Sequence, residues 1–360
     1  MDPARVNSAA AAARASYDVI AGELNADRDR AVALWREGGL ELAQAAESSR
    51  ERYDWFYIRN PQGRAQLNLL LASDKTLVGS LGVGCREFVI GASPQRAGVL
   101  VDFVVAPRHR TAFPALMLQR AGRVRALQSM DLVYGLPGAN AAGVCKRLET
   151  QVAFELPQLV RVVRYRPYVA RLLPGLLAVP AAFALDTIDR IRARAQLLFN
   201  QNYGEWVTGF DETFDALWAA VEKRKLCIGA RDRRFLQWRY GERPARRYEI
   251  FVVRRKRDRS LRMYFVCEQT DTRIGIHDCL GIGSEGELAR GLVMLSVAAR
   301  KLGAGSVDIS INGGKPWNRA LRRAGFKVRS GRPFFAVMGE SLSVRAAGHE
   351  WYITRADEDT

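Results

Sequence analysis

The stretch Val101-Asp-Phe-Val-Val-Ala-Pro-Arg-His-Arg-Thr-Ala-Phe-Pro-Ala-Leu-Met-Leu118 sets a strand, a turn and a helix start in a row. A strongly β-forming run ends at Pro107, and a polar turn, Arg108 to Thr111, follows. A helix then begins, with Thr111 as candidate N-cap and Pro114 near its first position. The first turn of a helix carries unpaired N–H groups and the positive end of the dipole, so this arrangement can seat a phosphate. Arg108 and Arg110 add charge beside it. The alternative reading is an ordinary strand–helix connection in a basic protein. On the helix itself, Met117, Ala121 and Val124 fall on one face and Gln119 and Arg123 on the other.

Other chemistry-bearing residues are sparser. Five cysteines (Cys85, Cys145, Cys227, Cys267, Cys279) lie far apart without a CxxC, which points to reduced thiols in an intracellular protein and neither a disulfide frame nor a zinc site. Three histidines (His109, His277, His349) share no metal-ligand spacing, so no metal is expected. Gly281-Ile-Gly283-Ser-Glu-Gly286 would let a backbone approach a ligand, or form a plain loop. Arg254 to Arg262 holds six cationic side chains and one anionic one. It reads as a hairpin tip in solvent or as a contact for something acidic.

The elements that must position these residues come in two similar sets. Trp55-Phe-Tyr-Ile-Arg-Asn-Pro61 is echoed by Trp238-Arg-Tyr-Gly-Glu-Arg-Pro244, in each case Trp, an aromatic two places on, and Pro six places on. After each echo a β-rich run is expected, 66–72 and 248–254. A hairpin-like pair follows, 77–90 and 261–269, then an apolar strand, 99–105 and 273–280. A helix (114–128; 287–302), a short strand (131–136; 306–312) and a second helix (139–148; 317–324) complete each set. Two further strands, 334–339 and 350–354, close the chain. This order predicts a mixed α/β module present twice.

These residues resemble the acyl-coenzyme-A N-acyltransferase (GNAT) superfamily, in a two-module form like those encoded near bacterial exopolysaccharide genes. The family's donor-binding turn, R/Q-x-x-G-x-G/A, matches Arg110-Thr-Ala-Phe113-Pro-Ala115, with Phe113 in place of the first glycine and Pro114 lacking a donor. Tyr57–Gly63, Tyr134-Gly-Leu-Pro137, Phe235–Tyr240, Ala324-Gly-Phe326 and the terminal W-x-x-T-x-x-D-x-D from Trp351 also match. The resemblance implies tandem GNAT-like modules with an α/β (mixed-sheet) fold. It also implies transfer of an acyl group from acyl-CoA, or from the phosphopantetheine of an acyl-carrier protein, to an amine, in cell-surface polysaccharide metabolism. The implied donor contacts are Val104, Val105, Arg108, Arg110, Thr111, Ala112, Phe113 and Ala115, with Asn140 near the pantetheine or as a helix cap. A strand N–H within 101–106 would stabilise the oxyanion. Asp102 is a candidate base, or else a structural hydrogen-bond acceptor; Asp278 is the candidate on the corresponding strand of the second half, with His277 beside it as a group that titrates near neutrality or serves a structural role. Tyr134 is the candidate proton donor to the leaving thiolate, because Cys145 and Leu321 stand where the family often has tyrosine. The alternative is a catalytically inactive GNAT-like module that binds a glycan, lipid or protein.

The 360 residues are 48% hydrophobic and 26% charged, which is globular composition and excludes disorder, collagen and coiled coil. Four segments are expected: a flexible tail 1–30, a first module 31–160, an apolar and basic helical connector 161–204, and a second module 205–360. The net charge of +17 calls for an anionic partner: a coenzyme phosphate, an acidic carrier protein or an anionic membrane surface. No nucleic-acid-binding motif accompanies it, so nucleic acid is not an expected partner. Residues 172–185 carry no charge and sit between arginines. They are too short to span a bilayer and are expected as a buried helix pair between modules, or as a segment lying in a membrane interface. The expected location is cytoplasmic, with contact at the inner face of the membrane.

Overall fold

The computed structural model describes residues 17–40, 49–148 and 152–358. The first half runs β1 (Tyr17–Gly22), α1 (Arg28–Glu37), α2 (Ser49–Tyr53), a π-helical turn (Asp54–Ile58), β2 (Gln66–Ala72), β3 (Leu77–Ile90), β4 (Ser93–Val105), α3 (Ala112–Ala126), β5 (Leu132–Gly135), α4 (Ala139–Arg147) and β6 (Val152–Val162). Two helices, α5 (Arg166–Val169) and α6 (Gly175–Leu197), connect the halves. The second half runs β7 (Asn202–Val207), α7 (Glu212–Ala220), β8 (Leu226–Gly229), α8 (Arg233–Leu236), a second π-helical turn (Gln237–Gly241), β9 (Glu249–Arg255), β10 (Leu261–Gln269) and β11 (Arg273–Gly281). It ends with α9 (Glu285–Lys301), β12 (Ser306–Gly313), α10 (Gly314–Arg323), β13 (Lys327–Met338), α11 (Glu340–Ala347) and β14 (Glu350–Thr354).

The strands form one mixed sheet in the order β1-β2-β3-β4-β5-β13-β6-β12-β11-β10-β9-β7, with β14 and β8 paired beside it. Read inward from either edge the pattern is the same. Neighbours are antiparallel until β4 meets β5, or β11 meets β12, in parallel. The two central strands are exchanged between halves. β6, which follows the first half's α4, pairs with β12, while β13, which follows α10, pairs with β5. The two then pair with each other, antiparallel. The expected duplication is present, and its halves are interlocked.

The Trp echo lies where the halves meet. Trp55 and Trp238 stack with centroids 4.8 Å apart, and each indole N–H donates to the other's carbonyl, at 2.8 Å and 3.1 Å. Both sit on five-residue π-helical turns.

Three expectations need correction. Residues 77–90 are one strand of 14 residues, not a hairpin-like pair. Their glycines serve packing: a Cβ on Gly82 would lie 2.0 Å from the Tyr57 hydroxyl. The expected tail 1–30 is too long, since Tyr17–Gly22 pairs with β2 along its length and Tyr17, Val19 and Ile20 pack on the core; residues 1–16 lie outside the described residues. Residues 172–185 are not a buried helix pair: Leu172, Leu176 and Phe183 are 82%, 93% and 68% exposed.

Candidate active site

The site follows from one parallel pairing that stops early. β4 and β5 pair only through Ala97–Val99 and Leu132–Tyr134. β4 then continues to Val105 without β5 beside it. The notch between them is a cavity of about 330 Å³, at the lower end of the ~300–1,000 Å³ typical of small-molecule sites. One wall is Val99–Phe103 and the other is Val133–Gly138. Gln119 and Arg123 of α3, Cys145 of α4, and Arg332 and Phe335 of the exchanged strand β13 close it. The cavity is thus built by both halves.

β4 is bulged at this notch. Ser80 faces Val104 and Gly82 faces Val101, leaving an extra residue on β4, and Asp102 has φ +49°. Such a conformation costs on the order of 1–3 kcal/mol and persists only where neighbours enforce it. Here Arg52 Nη1 donates to Asp102 Oδ2 at 3.1 Å, Arg52 Nη2 lies 2.9 Å from Oδ1 as an ion pair, and the Tyr57 hydroxyl donates to Oδ2 at 2.8 Å. Burial first, then the Asp102 charge, raise the Tyr57 hydroxyl well above the usual tyrosine range, so it stays a donor. Asp102 is thus the acceptor for the groups that hold the bulge, and it lies in the cavity wall.

The second half repeats the arrangement but fills its notch. β11 and β12 pair through Arg273–Ile276 and Ser306–Ile309, and β14 then takes the place beside β12. The Tyr352 hydroxyl donates to the Cys279 carbonyl at 2.7 Å, and the Thr354 hydroxyl donates to Asp278 at 2.7 Å. Arg231 Nε and the Tyr264 hydroxyl complete the Asp278 shell at 3.1 Å and 2.7 Å. Each of its carboxylate oxygens thus accepts from buried donors. His277 is the extra residue of the β11 bulge, held by Glu268 at 2.9 Å, and burial lowers its pKa below the usual histidine value. Asp357 joins the halves by accepting from Arg231 at 2.5 Å and from Arg86 of β3 at 2.8 Å. The terminal motif is thereby explained: Thr354 and Asp357 anchor this buried network.

The expected phosphate-binding turn is largely occupied by its own contacts. His109, Arg110 and Thr111 amides donate to Ala106, Pro107 and His109 carbonyls. Arg110 folds back, donating through Nε to the Val105 carbonyl at 2.9 Å and through Nη2 to the Gly38 carbonyl. Arg108 points to solvent. The Thr111 side chain makes no capping bond, and Pro114 has no N–H, which leaves the Ala112 and Phe113 amides as first-turn donors. Ala115 is buried, and Val104 and Val105 pair with Ser80 and Gly79. None of these residues lines the cavity, whose β4 wall lies just N-terminal to them. Asn140 lies in the first turn of α4, and its side chain is outside the described residues. The Tyr134 ring stacks on Phe334 and meets Phe88 at a tilt of 56°. Its hydroxyl lies among the charges of Arg86, Asp357 and Arg231, and burial raises its pKa.

Sequence reasoning missed Gln119 and Arg123. They are 3% and 7% exposed and are buried with Ala115, Leu118, Gly122 and Ala126 on the inward side of α3, while Val124 is 58% exposed. Gln119 Oε1 is buried without a hydrogen-bond partner among the described residues. Arg123 Nη2 approaches Cys145 Sγ at 3.3 Å. The available signal was the i, i+4 spacing of Gln119 and Arg123, which puts both on one face of the helix together with the small Ala115, Gly122 and Ala126. Among the described residues, no group of three or more His, Cys, Asp or Glu is placed to hold a metal ion.

No family model matches the chain, and no curated protein matches its sequence. Solved structures do match in fold. A probable N-acyltransferase from Enterococcus faecalis V583 aligns at TM-score 0.61 and 11% identity, covering 90% of this chain and 73% of that one. A tandem GNAT protein from the clavulanic acid biosynthesis pathway aligns at TM-score 0.54 and 11% identity, covering 89% and 98%. N-myristoyltransferase from Saccharomyces cerevisiae, solved with myristoyl-CoA, aligns at TM-score 0.53 and 10% identity, covering 89% and 80%. The chain has the GNAT fold in its two-module form.

Proposed function

We propose that the chain is an N-acyltransferase that takes its acyl donor, a coenzyme A or acyl-carrier-protein thioester, into the β4–β5 notch of the first half. The observation that carries this reading is the contrast between equivalent notches: one is an open cavity, and the other is filled by β14. An extended thioester arm carrying amide groups fits a slot with apolar walls and one buried side-chain amide, Gln119. The backbone freed at the β4 bulge is where an oxyanion would find N–H donors. An amine acceptor then attacks the thioester carbonyl, the C–S bond breaks, and the thiol leaves. Acceptors in this reading are amines, including sugar-linked ones.

A specific observation favours a second reading, an inactive binding module: the turn expected to grip a diphosphate spends three amides and Arg110 on its own backbone. Calorimetric titration with acetyl-CoA, myristoyl-CoA and an acyl-carrier-protein thioester separates the two. Ala141 of α4 also lines the cavity, and binding that Ala141→Trp abolishes by blocking it supports the first. Absence of binding by every donor supports the second.

A further inference from the structure

Most of the exposed large hydrophobic side chains among the described residues lie in the connector between the halves. From Gly175 to Leu185 helix α6 carries no charged residue. Ala178 and Ala182 pack on Val169 of α5. Leu176, Leu177, Val179 and Phe183 are exposed, as are Leu172 and Leu173 in the approach to the helix. At about 100° per residue, Leu176, Leu177, Val179 and Phe183 fan over roughly 160° of the helix, on the side away from the buried Ala178 and Ala182. No helix among the described residues is long and apolar enough to cross a membrane.

The charges around this projection complete the picture. The lower half of α6 is moored by Asp189, which accepts from Arg161 at 3.2 Å and from Arg300 at 2.9 Å. Beside the mooring lies an open pocket of about 650 Å³ lined by Arg164, Arg166, Arg171, Arg190 and Arg300 against only Asp186 and Asp271. Arg166, Arg171 and Arg190 are exposed and make no ion pair among the described residues. An apolar projection rimmed by free guanidiniums matches a bilayer surface carrying phosphate headgroups.

We propose that the α5–α6 connector docks the protein on an anionic phospholipid bilayer. The Leu172–Phe183 segment enters the headgroup–acyl boundary, and the arginine pocket takes lipid phosphates. The proposal is independent of the acyl-donor assignment. Its test is co-sedimentation of the full chain with vesicles of phosphatidylcholine alone and of phosphatidylcholine mixed with phosphatidylglycerol. Binding to the mixed vesicles, weakened by salt, is expected. The triple variant Arg166→Gln/Arg171→Gln/Arg190→Gln should lose roughly a hundredfold in affinity, at about fivefold per arginine. Leu172→Ser/Leu176→Ser/Phe183→Ser should also release the protein, and Leu176→Trp should shift its emission to the blue on binding. These positions are exposed, so unchanged thermal melts are expected throughout. Failure to sediment with mixed vesicles overturns the proposal, as does sedimentation that the serine variant leaves intact. A concentration-dependent dimer in ultracentrifugation that the serine variant dissolves, without vesicle binding, would assign the projection to a second copy instead.

Discussion

Asp102→Asn removes the carboxylate that Arg52 and Tyr57 share in the core of the first half. Breaking a buried ion pair by removing one partner costs about 3–5 kcal/mol. A lower midpoint in chemical denaturation is expected, while the pH profile of any transferase activity keeps its shape. A shift in that profile would assign Asp102 the role of base. Asp357 gives a second prediction. Burial alone would raise its pKa, but Arg231 and Arg86 overcome burial and hold it below the usual aspartate value of 3.8. Its folded pKa is therefore the lower one, so its contribution to stability is complete above the ordinary value and disappears as pH falls through the depressed one. Tryptophan fluorescence should report acid unfolding below the ordinary aspartate range, and Asp357→Asn should flatten that acid limb. At this scale the sequence exposed candidates without their surroundings. Asp102 was legible as a carboxylate on the key strand. Arg52, which neutralises it, lies 50 residues away and became relevant only through tertiary contact.

Elements were the most legible level. The expected strand 99–105 is the second half of β4, and the expected helix 287–302 is α9 displaced by a residue or two. Hydrophobic periodicity and turn chemistry are local, so they survive without knowledge of neighbours. The two faces of α3 were legible but not which one turns inward, because ordinary amphipathic logic turns polar residues outward and here Gln119 and Arg123 border a cavity. The Trp55–Trp238 pair shows what the repeat contributes. Truncating either large core aromatic to alanine should cost about 3–5 kcal/mol. Because the indoles stack and exchange hydrogen bonds, the double variant should lose less than the sum of the singles, a coupling of 0.5–3 kcal/mol in a double-mutant cycle. Additive losses would show that the echo has no shared energetic role.

Across the whole molecule the exchanged strands decide the architecture. β6 completes the second half and β13 completes the first, so neither half carries its own full sheet. Fragments 1–165 and 166–360, produced separately, should each expose strand edges and aggregate or remain partly folded. Produced together, they should co-elute as one species by size-exclusion chromatography with the circular dichroism of the intact chain. Independent folding of either fragment would contradict the interlock. Single-sequence periodicity could not reveal this exchange, since any of the central strands satisfies the same apolar pattern whichever neighbour it takes.

The interlock also sets a schedule for synthesis. Ser306 pairs with Val162 and Met338 with Leu132. While the ribosome is still producing the later strands, β5 and β6 wait with bare edges, and the nascent chain cannot close its centre until nearly all of it has emerged. Contacts so distant in sequence make for slow folding, and they make chaperone protection during translation a property of the topology itself.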